Sequence, residues 1–134
     1  LFLLQAIFTA GATDDKTTQQ VIADTLRKHH YLLDPHTAVA WNVAKEYRQG
    51  TGDKRYCLVV STASPYKFCR AVLEAVQGAP VVGDDEFTLI RRLATLTETT
   101  APVALTALEH ETVRHKKLVG KEALEQAVCD WLAL

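Results

Sequence analysis

The run Cys57-Leu58-Val59-Val60-Ser61-Thr62-Ala63-Ser64-Pro65 constrains this chain more than any other. An apolar stretch passes without a break into small hydroxyl side chains, and the proline that follows suits the first turn of a helix. Such a stretch, ending at a helix start, predicts a parallel strand covered on both faces. In open α/β sheets, ligands bind in the crevice beyond the carboxyl ends of the strands. Ser61 and Thr62 are therefore the first site candidates. A strand end would hold Thr62 rigidly at the sheet edge, and the helix after Pro65 would point free N–H groups the same way. The plainer alternative is that both hydroxyls only cap the loop.

The rest of the chain has helical periodicity. An apolar helix is expected over Leu1–Phe8. A second follows Thr13 as N-cap, with Asp14 and Asp15 in its first turn and Val21, Ile22, Thr25, Leu26 and His29 on one face, ending at His29-His30-Tyr31. Asp34 caps the next helix and Pro35 takes its first position. That helix is expected to present Ala38, Ala40 and Ala44 as a small-residue face and to stop near Arg48, before a turn at Gly50–Asp53. The helix opened by Ser64-Pro65 should bury Phe68, Ala71, Val72, Ala75 and Val76 and break at Gly78 and Pro80. Another should bury Phe87, Ile90, Leu93 and Ala94. A short one runs from Pro102 through Leu108, and the last one, after Gly120, carries Leu124, Ala127, Val128, Trp131 and Leu132 on one face. Val113–Val119, with a charged middle, is expected as a second, edge strand. The fold class is thus α/β: helix-rich, with short parallel strands flanked by helices, in one segment over residues 1–134.

Composition narrows the function. A 134-residue chain, 48% hydrophobic and 23% charged, is long enough to bury a core. A formal net charge of −1, with basic residues spread out rather than interleaved with aromatics, argues against nucleic acid and anionic membrane surfaces as partners. No apolar run approaches bilayer length. Cys57, Cys69 and Cys129 lack C-x-x-C spacing and are expected as reduced, buried thiols of a cytoplasmic protein rather than zinc ligands or disulfides. His29, His30, His110 and His115 have no metal-ligand spacing, so no metal is expected. Methionine is absent even at position 1, and the expectation is a piece of a longer chain. The six glycines, at 11, 50, 52, 78, 83 and 120, form no phosphate-cradling loop.

Asp34-Pro35-His36-Thr37-Ala38-Val39 is a helix start first. His36 lies in its first turn, where the dipole disfavours a cation and suits a neutral, hydrogen-bonding imidazole.

That string and Ser61-Thr62-Ala63-Ser64-Pro65-Tyr66-Lys67-Phe68, in this order, resemble the C-terminal part of the threonine synthase family. Phe8-Thr9-Ala10-Gly11-Ala12-Thr13 and Val113-Arg114-His115 are also similar to family segments. The resemblance implies the C-terminal portion of a fold type II, tryptophan-synthase-β-like enzyme dependent on pyridoxal 5′-phosphate. The implied reaction converts O-phospho-L-homoserine and water to L-threonine and phosphate. It implies that Thr62, with Ser61 beside it, binds the cofactor at its pyridine nitrogen. His36 and Lys67 fall at catalytic motif positions, and Asp34 and Thr37 in the surroundings of the substrate site. The family's Schiff-base lysine and phosphate loop have no counterparts here, so the segment alone is expected to be inactive and to self-associate through apolar surface. The family usually has glycine where His30 stands. If that position needs a positive φ, histidine costs about 1 kcal/mol there. Another fold type II lyase, or a non-catalytic α/β interaction module, stays open as an alternative.

Overall fold

The computed structural model describes residue 4 and residues 7–133. The helix expected over Leu1–Phe8 lies for the most part outside them. The described elements are helical: α1 (Asp15–His29), α2 (Pro35–Thr51), a 3-10 turn (Pro65–Phe68) leading into α3 (Cys69–Gln77), α4 (Glu86–Thr97), a short α5 (Val103–Thr106) continued by a 3-10 turn (Ala107–His110), and α6 (Leu124–Leu132) after a 3-10 turn (Lys121–Ala123).

Three of these helices start on the same unit, Asp-x-x-Thr. Asp14, Asp34 and Asp85 each sit in extended backbone and offer a carboxylate to free N–H groups of the first turn. Asp14, not Thr13, is therefore the cap of α1; its Oδ1 accepts from the Thr17 N–H at 2.7 Å. Thr13 lies outside the helix, where its hydroxyl accepts from the buried Asn42 at 3.2 Å. Pro35 is at the start of α2 as expected.

The core forms where α1 packs on α2 and α3, and α3 on α4. Ile22, Val72, Leu73, Leu89 and Leu93 are fully buried there, with Ala38 from α2 and Leu32 and Leu33 from the preceding link. In α3, Cys69 and Leu73 face inward and Ala71 faces solvent, while in α2 Ala40 is exposed and Thr37, Ala38 and Asn42 are buried. Gly11 approaches α2 closely: a Cβ there would lie 2.9 Å from Val43 Cγ1, and the stiff valine leaves little room to yield. Arg70 of α3 ties down the link to α4, donating to the carbonyls of Val81 (3.0 Å) and Asp84 (2.8 Å). Glu74 accepts from the Val81 N–H at 3.0 Å.

The α/β expectation is overturned. No strand occurs among the described residues, and both Cys57–Val60 and Val113–Val119 are irregular. Leu58 is 88% exposed, and Tyr56 and Val60 also face solvent. An apolar run has strand-like composition, but a strand exists only where a neighbour takes its backbone hydrogen bonds. Neither run finds one here, because the helices close the core among themselves. The charged middle of Val113–Val119 favours solvent over burial. Cys57 is correspondingly exposed rather than buried. The apolar face of α6 is also uncovered: Trp131 is 83% exposed, and Leu124, Val128 and Leu132 are exposed too.

The end of α1 meets the expectation raised at His30. His30 has φ 54° and ψ 34°, and its N–H donates to the Leu26 carbonyl at 2.9 Å. This left-handed cap is ordinarily glycine's, and the His30 side chain is exposed, with little packing to lose. His30→Gly is therefore expected to raise the unfolding free energy in urea by about 0.5–1 kcal/mol. A lower transition midpoint would show that the imidazole makes contacts worth more than the backbone strain.

Candidate functional site

The start of α2 and the turn before Pro65 meet at one side chain. Asp34 has 1% of its surface exposed. Its Oδ1 accepts from the backbone N–H groups of His36 (3.0 Å) and Thr37 (3.3 Å), while Oδ2 accepts from the Thr37 hydroxyl. Thr37 Oγ1 in turn lies 3.1 Å from Ser61 Oγ, which brings residues 24 positions apart into hydrogen-bond contact. His36 projects outward with Nδ1 3.3 Å from Asp34 Oδ1, and its ring leans against Phe68 at a centroid distance of 5.0 Å. Asp34, His36, Thr37 and Ser61 thus converge, and Phe68 joins them.

Two expected residues stand apart from this set. Thr62 is exposed, and among the described residues no side chain or backbone group hydrogen-bonds to its hydroxyl. Lys67 is exposed on the 3-10 turn, and its backbone N–H donates to the Ser64 carbonyl at 3.0 Å. Ser64 caps that turn through its hydroxyl, which accepts from the Tyr66 N–H at 3.3 Å. The turn is anchored further by Tyr66, a contributor that apolar periodicity does not reveal. Its ring is buried, and its hydroxyl lies 2.6 Å from Thr99 Oγ1 beyond the end of α4. No described trio of His, Cys, Asp or Glu is placed to hold a metal ion. A groove of about 510 Å³ lies elsewhere, between Trp41, Lys45 and Arg48 of α2 and Lys54, Cys57 and Val59.

Electrostatics at Asp34 are decided by two opposed effects. Burial pushes its carboxyl up. The Thr37 hydroxyl and the N–H groups of Thr37 and His36 hold it down, and together they win, so its pKa lies below the ordinary aspartate value. Asp14 and Asp85, exposed caps of the same kind, are lowered by the hydrogen bonds of Thr17 and Thr88. Cys69 is the opposite case. Burial, with a smaller push from Glu86, raises its thiol to about 11, and Sγ donates to the Tyr66 carbonyl at 3.0 Å.

Residues 37–127 match the family model described as threonine synthase, C-terminal, and the chain belongs to that family. Thr37, Ser61, Thr62 and Lys67 lie inside the matched stretch; Asp34 and His36 lie just before it. The chain is also similar to threonine synthase of Pseudomonas aeruginosa, 38% identical over 69 residues, and to that of Corynebacterium glutamicum, 33% identical over 73. These alignments take in 52% and 54% of this chain but only 14% and 15% of those proteins. The matched segment spans about one seventh of the length of its curated relatives.

Two measurements follow from these environments. Lowering the pH should destabilise the chain through Asp34. Its unfolded pKa is about 3.9 and its folded value is lower, so its contribution is complete above about pH 5 and is lost as pH falls through the folded pKa. Asp34→Asn should cost about 1–3 kcal/mol at neutral pH and flatten the acid limb of a urea-unfolding series. The part due to Asp14, Asp85 and Asp53 should remain, the last held down by its hydrogen bonds with Arg55. An acid limb unchanged by the substitution would place the titration elsewhere. In thiol alkylation, Cys57 should react in the folded chain and Cys69 only in denaturant. Equal labelling rates would contradict the burial of Cys69.

Proposed function

We propose that this chain is the C-terminal part of a threonine synthase that converts O-phospho-L-homoserine and water to L-threonine and phosphate with pyridoxal 5′-phosphate. The observation that carries this reading is the exposed, uncommitted hydroxyl of Thr62, one residue from a serine anchored to buried structure, inside the segment that matches the family. The described residues fit one end of the cofactor. Thr62 offers the hydroxyl donor that a pyridine nitrogen accepts, whereas the scattered glycines provide no phosphate cradle. When bound, the cofactor supplies an electron sink for the substrate's carbon chemistry.

Thr62 has the task of orienting the ring. A hydroxyl partner, unlike a carboxylate, does not force a proton onto the nitrogen. Lys67, five residues on, is an exposed cation suited to an anionic phosphate, and His36 offers an exposed imidazole for proton transfer beside the buried Asp34 carboxylate. Asp34 and Thr37 support these groups from below. The reading includes a cytoplasmic location; no described helix is long and apolar enough to cross a membrane. It also includes self-association of the isolated chain, because Leu58, Val60, Trp131 and their exposed apolar neighbours gain by burial.

The test is made in the full-length enzyme carrying this sequence. Thr62→Ala should lower kcat by about 5- to 150-fold, the equivalent of leaving one ring nitrogen without its partner. Thr62→Ser should keep most of the activity. Full activity of Thr62→Ala with an unchanged cofactor absorbance spectrum would show that Thr62 merely forms part of the turn.

A further inference from the structure

The geometry points to a hydroxyl relay, Asp34–Thr37–Ser61, in which Ser61 is a positioning residue rather than a cofactor ligand. In this relay the buried Asp34 carboxylate sets where the neighbouring Thr62 stands.

An ionised carboxylate accepts and never donates, and a hydroxyl carries a single proton. Thr37 Oγ1 has two partners: Asp34 Oδ2 and, at 3.1 Å, Ser61 Oγ. The heavy-atom geometry sets Thr37 to donate to Ser61 as well as to Asp34, but it has one proton, and the charged, closer carboxylate takes it. The contact is then completed by the Ser61 hydroxyl donating to Thr37 Oγ1. Ser61 therefore has no proton left for a ligand and can only accept. The adjacent Thr62 hydroxyl keeps its proton. Of two neighbouring hydroxyls with the same chemistry, the relay leaves one as a donor and converts the other into an anchor.

Helix capping by itself does not explain the arrangement. Asp85 and Thr88 make the same unit at the start of α4, with Oδ1 accepting from the Phe87 and Thr88 N–H groups and the Thr88 hydroxyl donating to Oδ2 at 2.5 Å. That copy is exposed, and its threonine oxygen accepts from Arg91 at 3.2 Å on the same helix. It caps equally well without being buried. In the Asp34 copy the carboxylate is fully buried, and the free side of the threonine oxygen is spent on a distant segment. That contact replaces the strand that would otherwise hold Thr62: with residues 57–60 irregular and, Val59 apart, exposed, Ser61 is the nearest point at which the turn is fastened to α2.

The inference rests on the proposed role of Thr62, and the experiment separates the two. In the full-length protein carrying this sequence, Thr37→Val keeps the shape and removes the hydroxyl, Thr37→Ser restores it, and Ser61→Ala removes the other end. The order parameter of the Thr62 methyl group, measured by NMR relaxation without cofactor, should fall in Thr37→Val and Ser61→Ala and return in Thr37→Ser. With pyridoxal 5′-phosphate bound, the same two variants should lose about tenfold in kcat, keep their KM for O-phosphohomoserine within about twofold, and shift the cofactor absorbance in the same direction as Thr62→Ala. An unchanged Thr62 methyl in Thr37→Val would overturn the relay. So would a cofactor affinity that falls in Ser61→Ala but not in Thr37→Val, since Ser61 would then touch the cofactor directly. If the methyl responds as expected but the protein binds no pyridoxal 5′-phosphate, the relay stands and the proposed function fails.

Discussion

A carboxylate sealed from water is the constraint on which the local structure depends. Burying an unpaired charge is costly, so Asp34 is tolerable only because donors surround it: two backbone N–H groups, one hydroxyl and the edge of an imidazole. Those donors come from the first turn of α2, and that turn must form for the charge to be stable. The hydrogen bonds outweigh desolvation, which keeps Asp34 ionised at neutral pH, and an ionised Asp34 takes the proton of Thr37. The orientation of Ser61 follows from that.

Around this point the fold is a helical layer whose core closes without a sheet. Apolar side chains of α1, α3 and α4 fill it, and Arg70 and Glu74 bind the α3–α4 link through backbone hydrogen bonds, so the loop is held by polar contacts. Arg91 makes a two-point bond to Glu109, at 3.0 and 2.8 Å, and fastens the turn after α5 to α4. Such an exposed pair contributes about 1 kcal/mol or less, so it orients more than it stabilises. Stability therefore resides in the α1–α4 unit. The arm at 56–60 and α6 carry apolar side chains that this unit does not cover.

Part of the candidate site was legible from residue types alone. Asp34 and Pro35 announce a helix start because capping is a local interaction, completed within three residues. The left-handed cap at His30 is likewise local, and only the question of its φ angle needed a structure. The convergence of Asp34, His36 and Thr37 with Ser61 was not readable, because it joins positions 24 apart and depends on how α2 packs. Phe68 was expected as a buried helix residue; that it supports the His36 ring is a property of the packing. The difference between the exposed Asp85 and the buried Asp34, in otherwise equivalent caps, has no signature in the local sequence.

Of the two misread strands, Cys57–Val60 and Val113–Val119, the first is the more instructive. Its composition is that of a strand, but strand formation is a contract between segments, and composition describes one party only. The sequence by itself determined that α1 to α4 form, where α1 and α3 stop, most of their buried positions, and membership of the family. These rest on interactions within a few residues or on the residue string itself. The cap of α1 moved to Asp14, α2 ran past Arg48 to Thr51, and Ala40 and Ala71 turned outward. Only the tertiary structure decided which apolar runs are covered, which of two adjacent hydroxyls keeps its proton, and that Thr62 is held through Ser61 rather than by a sheet. Each of those depends on which distant group arrives as a partner.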